Sequence, residues 1–417
     1  MKSKLHFLFV FIASIACLQA QEVTVNTSMG AGYANQVYYK LSTQTATAFA
    51  RESWDIALLR VSSYDFGIRV NDGIGIEVFE ASNTPNDWST IDIANEASWT
   101  VLQNSETTWS GGAFDQGSAS YGFGEYNSTT HHVDGTIIFV LKYADGTYRK
   151  FINEDYAAGY TFKYATWDTS TSTWSADQTV TVPNTNNPNN KFNYYSLQNN
   201  LEVVAEPAIT EWDFVFTKYI TDYYGDGTVF YPVTGVLHSD EVTVAQNDEP
   251  SGTTANTTLT YSDEINTIGS DWKSFNGAGY TVNSNQAYYL KYADDTIYRF
   301  NFTAFTGGSS GDLTLVFENV TASLSIKDVS ENVSFGLYPN PSTDKQITLV
   351  YDVNTLSSDK NDVAIYSTTG QKVFETALSS NQGFRNKSLD LSSLSNGIYM
   401  LQFTSGEFTT TKKLILK

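Results

Sequence analysis

Leu141-Lys142-Tyr143-Ala144-Asp145-Gly146-Thr147-Tyr148-Arg149-Lys150-Phe151 reads as two short strands folded about Asp-Gly. Asp-Gly accepts the positive backbone angles of a two-residue primed turn, which sets Tyr143 and Leu141 across from Tyr148 and Lys150. The stretch returns as Leu290-Lys291-Tyr292-Ala293-Asp294-Asp295-Thr296-Ile297-Tyr298-Arg299-Phe300, where Asp-Asp suits that turn less well. Two further landmarks recur in the same order. Val37-Tyr38-Tyr39-Lys40-Leu41 and Ser53-Trp54-Asp55-Ile56-Ala57-Leu58 precede the first hairpin, and Asn193-Tyr194-Tyr195-Ser196-Leu197 and Glu211-Trp212-Asp213-Phe214-Val215-Phe216 precede the second. Ordered self-similarity predicts a tandem duplication, with the Pro/Asn/Thr-rich stretch from Pro183 to Asn190 as its seam. Strand alternation puts each tryptophan on one sheet face with the residue two further on, and turns the aspartate between them the other way.

Outward from these landmarks the chain keeps the same character. Its 27 Tyr, 25 Phe and 8 Trp sit among Thr, Val and Asn in short alternating runs, which is strand composition. No apolar stripe at helical spacing exceeds about three turns. The expected fold class is all-β and antiparallel: two tandem domains over 21–185 and 186–330, then a terminal module over 331–417. With 45 acidic against 24 basic residues and a net charge of −21, nucleic acid and anionic membrane surfaces are disfavoured as partners. The single cysteine, Cys17, excludes a disulfide scaffold. Lys2 and Lys4, the apolar run from Phe7 to Leu18 and the close at Ala20 have the order of a secretory signal over 1–20; the rival is a lipoprotein signal acylated on Cys17. No later segment holds the roughly 20 apolar residues of a membrane-spanning helix.

Two resemblances follow. Tyr338-Pro339-Asn340-Pro341, Thr369-Gly370-Gln371, Asn396-Gly397-Ile398-Tyr399 and Lys412-Lys413-Leu414 occur in the order found in the C-terminal sorting domain of the type IX secretion system, and residues 335–417 resemble that domain. The resemblance implies an Ig-like β-sandwich, a partner in the type IX machinery, removal of the tail, and a protein secreted from, or attached to, the surface of a Bacteroidota-type cell. Residues 33–322 resemble the HmuY-like family through Val37-Tyr38-Tyr39, Trp54-Asp55-Ile56-Ala57, Val70-Asn71-Asp72-Gly73-Ile74-Gly75, the segment Tyr126 to Gly135, Trp212-Asp213-Phe214 and Gly235-Val236-Leu237. That family implies a haem-binding β protein that passes haem to a TonB-dependent receptor.

Haem requires axial ligands in an apolar slot. The exported chain offers His131, His132, His238, Met29 and Met400, and Met400 lies in the removable tail. His131 and His132 face opposite sides if they lie on a strand, so one pocket takes only one of them. The candidate pair is His131 with His238, one from each half. Aligning the halves on their hairpins sets Tyr280 opposite His131. The alternative is that these histidines merely hydrogen-bond in loops. Gly307-Gly308-Ser309-Ser310-Gly311 matches the nucleophile-elbow letters, but that motif needs a strand running into a helix and here a strand follows. The acidic string Thr221 to Gly227 lacks the alternating oxygen ligands of a calcium loop. The chain is therefore read as a non-enzyme. Two functions stand: a surface binder of haem or another small ligand, and an adhesive module whose aromatic faces contact glycans or another protein.

Overall fold

In the computed structural model both Leu-Lys-Tyr-Ala hairpins form, one residue out of the expected register. Leu141 faces Arg149 and Lys142 faces Tyr148, while the Tyr143 N–H donates to Thr147 O at 2.9 Å. Ala144, Asp145 and Gly146 make up the loop, closed by Gly146 at φ +83°. A type I turn followed by one left-handed residue satisfies strand twist as well as a primed turn does. The second hairpin repeats the register, Leu290 against Tyr298, with Asp295 in the left-handed position at φ 64°. Aspartate tolerates that region, so Asp-Asp closes the loop where Asp-Gly does.

The structure describes residues 22–62, 65–249, 259–321, 333–353, 361–379, 383–405 and 408–417. The expected signal over 1–20, Cys17 included, lies outside the described residues. What is described is strand joined by short 3-10 turns, as the alternation predicts, and it divides at residues 319 and 320 into two compact units.

Four of the five sheets described in the first unit enclose its two main cores. A nine-stranded sheet from the first half covers a core of Ile56, Leu58, Phe114, Phe139, Leu141, Phe151 and Phe162, and a five-stranded sheet covers a core of Phe214, Phe216, Trp272, Tyr288, Phe300 and Phe302. Each core is closed by a four-stranded sheet that both halves build. Strand Asn35–Lys40 of the first half pairs with Phe214–Asp222 of the second, and Phe192–Ser196 of the second pairs with Ile56–Leu59 of the first. Strand Val23–Ser28 also crosses over, onto Asp312–Asn319. The expected seam at 185/186 is therefore no break between bodies, because three strand pairings span it.

Alternation sorts the exchanged strands. Tyr39 and Tyr195 point into the two cores, while Tyr38 and Tyr194 point into the layer between the four-stranded sheets. There Tyr38 meets Trp212 edge-on at 5.1 Å and Tyr194 meets Trp54 edge-on at 4.9 Å. Trp109 joins the two groups, 5.8 Å from Trp212 and 6.2 Å from Phe192, with its indole N–H on His238 O. The tryptophans do not share a face with the residue two further on. A bend at Asp55 and at Asp213 resets the alternation before each strand begins, so Ile56 and Phe214 enter the cores while the indoles enter the middle layer.

The bends are built alike. Asp55 N–H donates to Tyr195 O and Asp213 N–H to Tyr39 O. Both carboxylates are fully buried; Asp55 accepts from Gln198 N, Gln198 Nε2 and Ser196 Oγ, and Asp213 from Leu41 N, Lys40 Nζ and Tyr292 Oη. Burial first, and then the neighbouring aspartate, push both the Tyr143 and the Tyr292 hydroxyl well above the usual tyrosine range.

The second unit is a sandwich of a three-stranded and a four-stranded sheet around Ile347, Leu349, Tyr351, Ile365, Leu401, Phe403 and Leu414. Asn340 of the Tyr-Pro-Asn-Pro stretch donates to Lys413 O at 2.7 Å and accepts from Ile415 N at 3.0 Å. The two ends of the tail motif are thus tied side by side.

Candidate functional site

The turn Asp72–Ile74, from the stretch Val70 to Gly75, lies on strand Phe214–Asp222 of the other half. Only glycine allows that approach at position 73: a Cβ there would stand 2.3 Å from Lys218 O. Arg51 clamps the turn, with Nη1 on Gly73 O at 2.5 Å and Nε on Tyr33 O at 2.8 Å, and Asn71 Nδ2 returns to Arg51 O and Trp54 O. Between turn and strand runs a groove of about 440 Å³ lined by Arg51, Glu52, Asp72, Glu77 and Lys218, with apolar walls from Ile74, Ile76, Ile220, Phe230 and Pro232.

Charge in this groove is unevenly matched. Asp72 accepts from Asn104 Nδ2 at 2.8 Å, and burial outweighs the attraction of Arg69, raising its carboxyl to about 6. Lys218 is half-buried; burial, reinforced by repulsion from Arg51, lowers its amine. Glu77 lies 3.9 Å from Lys142, and Glu52 stands exposed at the rim. Asp72 and Lys218 also border an inner cavity of about 50 Å³ beside Trp54, Trp109 and Tyr194, space for a water or two. Among the described residues the Trp54 indole N–H meets no acceptor. The groove thus offers apolar walls with Lys218, Glu52, Asp72 and Glu77 as its charged side chains and Arg51 engaged on backbone carbonyls.

The two histidines of the expected pair stand in unlike surroundings. His131 sits exposed in the turn before strand His132–Gly135, at φ 63° and not on a strand, with Nδ1 2.7 Å from Tyr126 Oη. His132 makes an ion-pair contact with Asp155 at 2.9 Å. His238 is fully buried at the end of strand Phe230–His238, in another sheet, with Nδ1 on Ser239 O at 2.7 Å; burial lowers its basicity. Neither His131 nor His238 borders the groove or the inner cavity. The structure thus places one candidate ligand in an exposed turn and the other buried in a different sheet. The groove itself was half legible, since Asn71-Asp72-Gly73 stood out in the sequence, but Lys218 and Arg51 carried no local signal.

Comparison with known families adds the tail. Residues 336–417 match the family described as the secretion system C-terminal sorting domain, and no curated protein matches the chain. The chain is thus a cargo of the type IX system, exported and attached at the cell surface. Among the described residues no helix is long and apolar enough to cross a membrane.

Proposed function

We propose that the exported unit is a non-catalytic binding protein of HmuY-like build, made of two copies of one β unit that exchange a hairpin, with its ligand seat in the groove between them. The observation that carries this reading is the groove itself. It is lined by both halves, as ligand sites between domains commonly are, and it sets the half-buried Lys218 amine among apolar walls and the carboxylates of Glu52, Asp72 and Glu77. The duplication is supported by the matched bends at Asp55 and Asp213 and the matched Tyr–Trp contacts. The ligand is a small organic acid with an apolar body.

Thermal shift of the whole protein against benzoate, phenyl phosphate and indole-3-acetate tests it. Stabilisation by one of these that disappears in Lys218→Met supports the groove; no shift with any of them overturns it. Haem capture for a TonB-dependent receptor rests on kinship alone, because His131 and His238 lie apart. A Soret band that sharpens on adding haem would restore it, and an unchanged free-haem spectrum removes it.

A further inference from the structure

Each half of the first unit carries a small hairpin with an asparagine-capped turn, the first joined to the nine-stranded sheet and the second a two-stranded ribbon. Strands Gly124–Asn127 and His132–Gly135 form the first; Lys273–Phe275 and Tyr280–Val282 form the second. Asn127 Oδ1 caps its turn by accepting from Thr129 N and Thr130 N, and Asn276 Oδ1 caps the other by accepting from Ala278 N and Gly279 N. At the same sequence offset Tyr126 matches Phe275 and His131 matches Tyr280, although Phe275 and Tyr280 are a cross-strand pair while Tyr126 faces Val133 and His131 sits in the turn. Both pairs are in ring contact, at 6.2 Å and 5.3 Å.

These rings end aromatic ladders that begin in the cores. Phe123, Phe66 and Tyr121 lead to Tyr126 in the first half, and Trp272 and Phe305 lead to Tyr280 in the second. The tips nonetheless face solvent: Tyr126 is 47% exposed, Phe275 63% and Tyr280 37%. Rings left half-exposed at the ends of such ladders, in both halves, are candidates for a contact surface. The first turn carries Asn, Ser and Thr and the second Asn with Gly and Ala; no lysine or arginine lies in either turn, and Lys273 at the base of the second hairpin is buried with its amine on Thr234 O. In a chain of net charge −21, such tips repel polyanions.

We propose that the two hairpin tips are equivalent stacking sites for a neutral polysaccharide, whose C–H faces lie on Tyr126 or His131 and on Phe275 or Tyr280 while the flanking amides and hydroxyls meet its hydroxyl groups. The inference rests on cell-surface attachment and not on the groove. Two tips on one unit give a polymer two places to bind, and a gain beyond either tip requires that one chain reach both.

Affinity electrophoresis of the whole protein in gels cast with xylan, mannan, laminarin or dextran, with alginate as the anionic control, reads this directly. Retardation in at least one neutral gel and none in alginate is expected. Phe275→Ala alone weakens it several-fold; Tyr126→Ala/His131→Ala and Phe275→Ala/Tyr280→Ala each weaken it by about tenfold or more, and the four together abolish it. Tyr280→Phe retains it, which separates loss of stacking from loss of fold. Free mobility in every neutral gel, retardation in alginate alone, or retardation unchanged in the fourfold variant overturns the proposal. Lys218→Met leaves retardation unchanged, so failure of the groove reading and failure of this one are distinguishable.

Discussion

Lys40, on a strand of the first half, places Nζ 2.7 Å from Oδ1 of Asp213, a fully buried carboxylate of the second half. The same aspartate accepts from Leu41 N and Tyr292 Oη, so one buried charge ties three segments together. Its stability depends on the cation, since a buried carboxylate without one bears its desolvation unrelieved.

Lys40→Met is expected to destabilise the first unit by about 3–5 kcal/mol, because it strands Asp213. Lys372→Met, which removes an exposed partner of Glu375, leaves stability unchanged. Urea midpoints of both variants check the contrast.

Cutting the chain at the seam is expected to yield two pieces that do not fold alone. Residues 22–185 lose strand Phe192–Ser196 from their second sheet, and 186–319 lose strands Val23–Ser28 and Asn35–Lys40. Mixing the pieces restores strand circular dichroism and a one-to-one complex in size-exclusion chromatography; two independently folded monomers would contradict this.

Stability is expected to fall as pH rises from about 4 to about 7. Burial raises the carboxyls of Asp72 to about 6, and of Asp115 and Glu206 to about 7. With folded-state values above the unfolded ones, the native chain holds more protons in that window, so their contribution is complete below the unfolded value and lost through the folded one. Glu206→Gln keeps an acceptor for Phe192 N and a partner for Tyr194 Oη, and flattens this slope. Melting temperatures of both proteins between pH 4 and 8 measure it.

Gly73→Ala is expected to lower stability by about 1–3 kcal/mol, since the turn must lift from Lys218 to admit a Cβ. The groove loosens with it. Melting temperature reports the first effect and the benzoate thermal shift the second.

Deleting residues 333–417 is expected to abolish export while leaving the first unit folded, because that unit closes its own cores and the matched family lies wholly beyond it. Fractionation of producing cells, with an antibody to the first unit, checks where the protein stops.

The hairpin at Leu141 shows how far local reading reached. Its strands and turn were legible because alternation and Asp-Gly are short-range signals, yet its register was one residue off because two turn types satisfy the same letters. The tail was legible for a similar reason: its motif pieces are short and ordered, even though Asn340 and Lys413 meet only in the fold. His131 and His238 were chosen by residue type, and type says nothing of place: one is exposed in a turn and the other buried in a sheet. The match of His131 with Tyr280 was legible from aligning the halves, but that each ring touches a second exposed aromatic, Tyr126 or Phe275, was decided by the fold.

By itself the sequence determined that this is an exported, antiparallel β chain with a doubled set of landmarks, because periodicity, turn residues and address motifs act over a few positions. Only the tertiary structure decided which strand of one half completes which sheet of the other, and hence where the groove and the tips lie. Those pairings join residues far apart in the chain, and they are selected by whole faces that must be buried, which no short run of letters specifies.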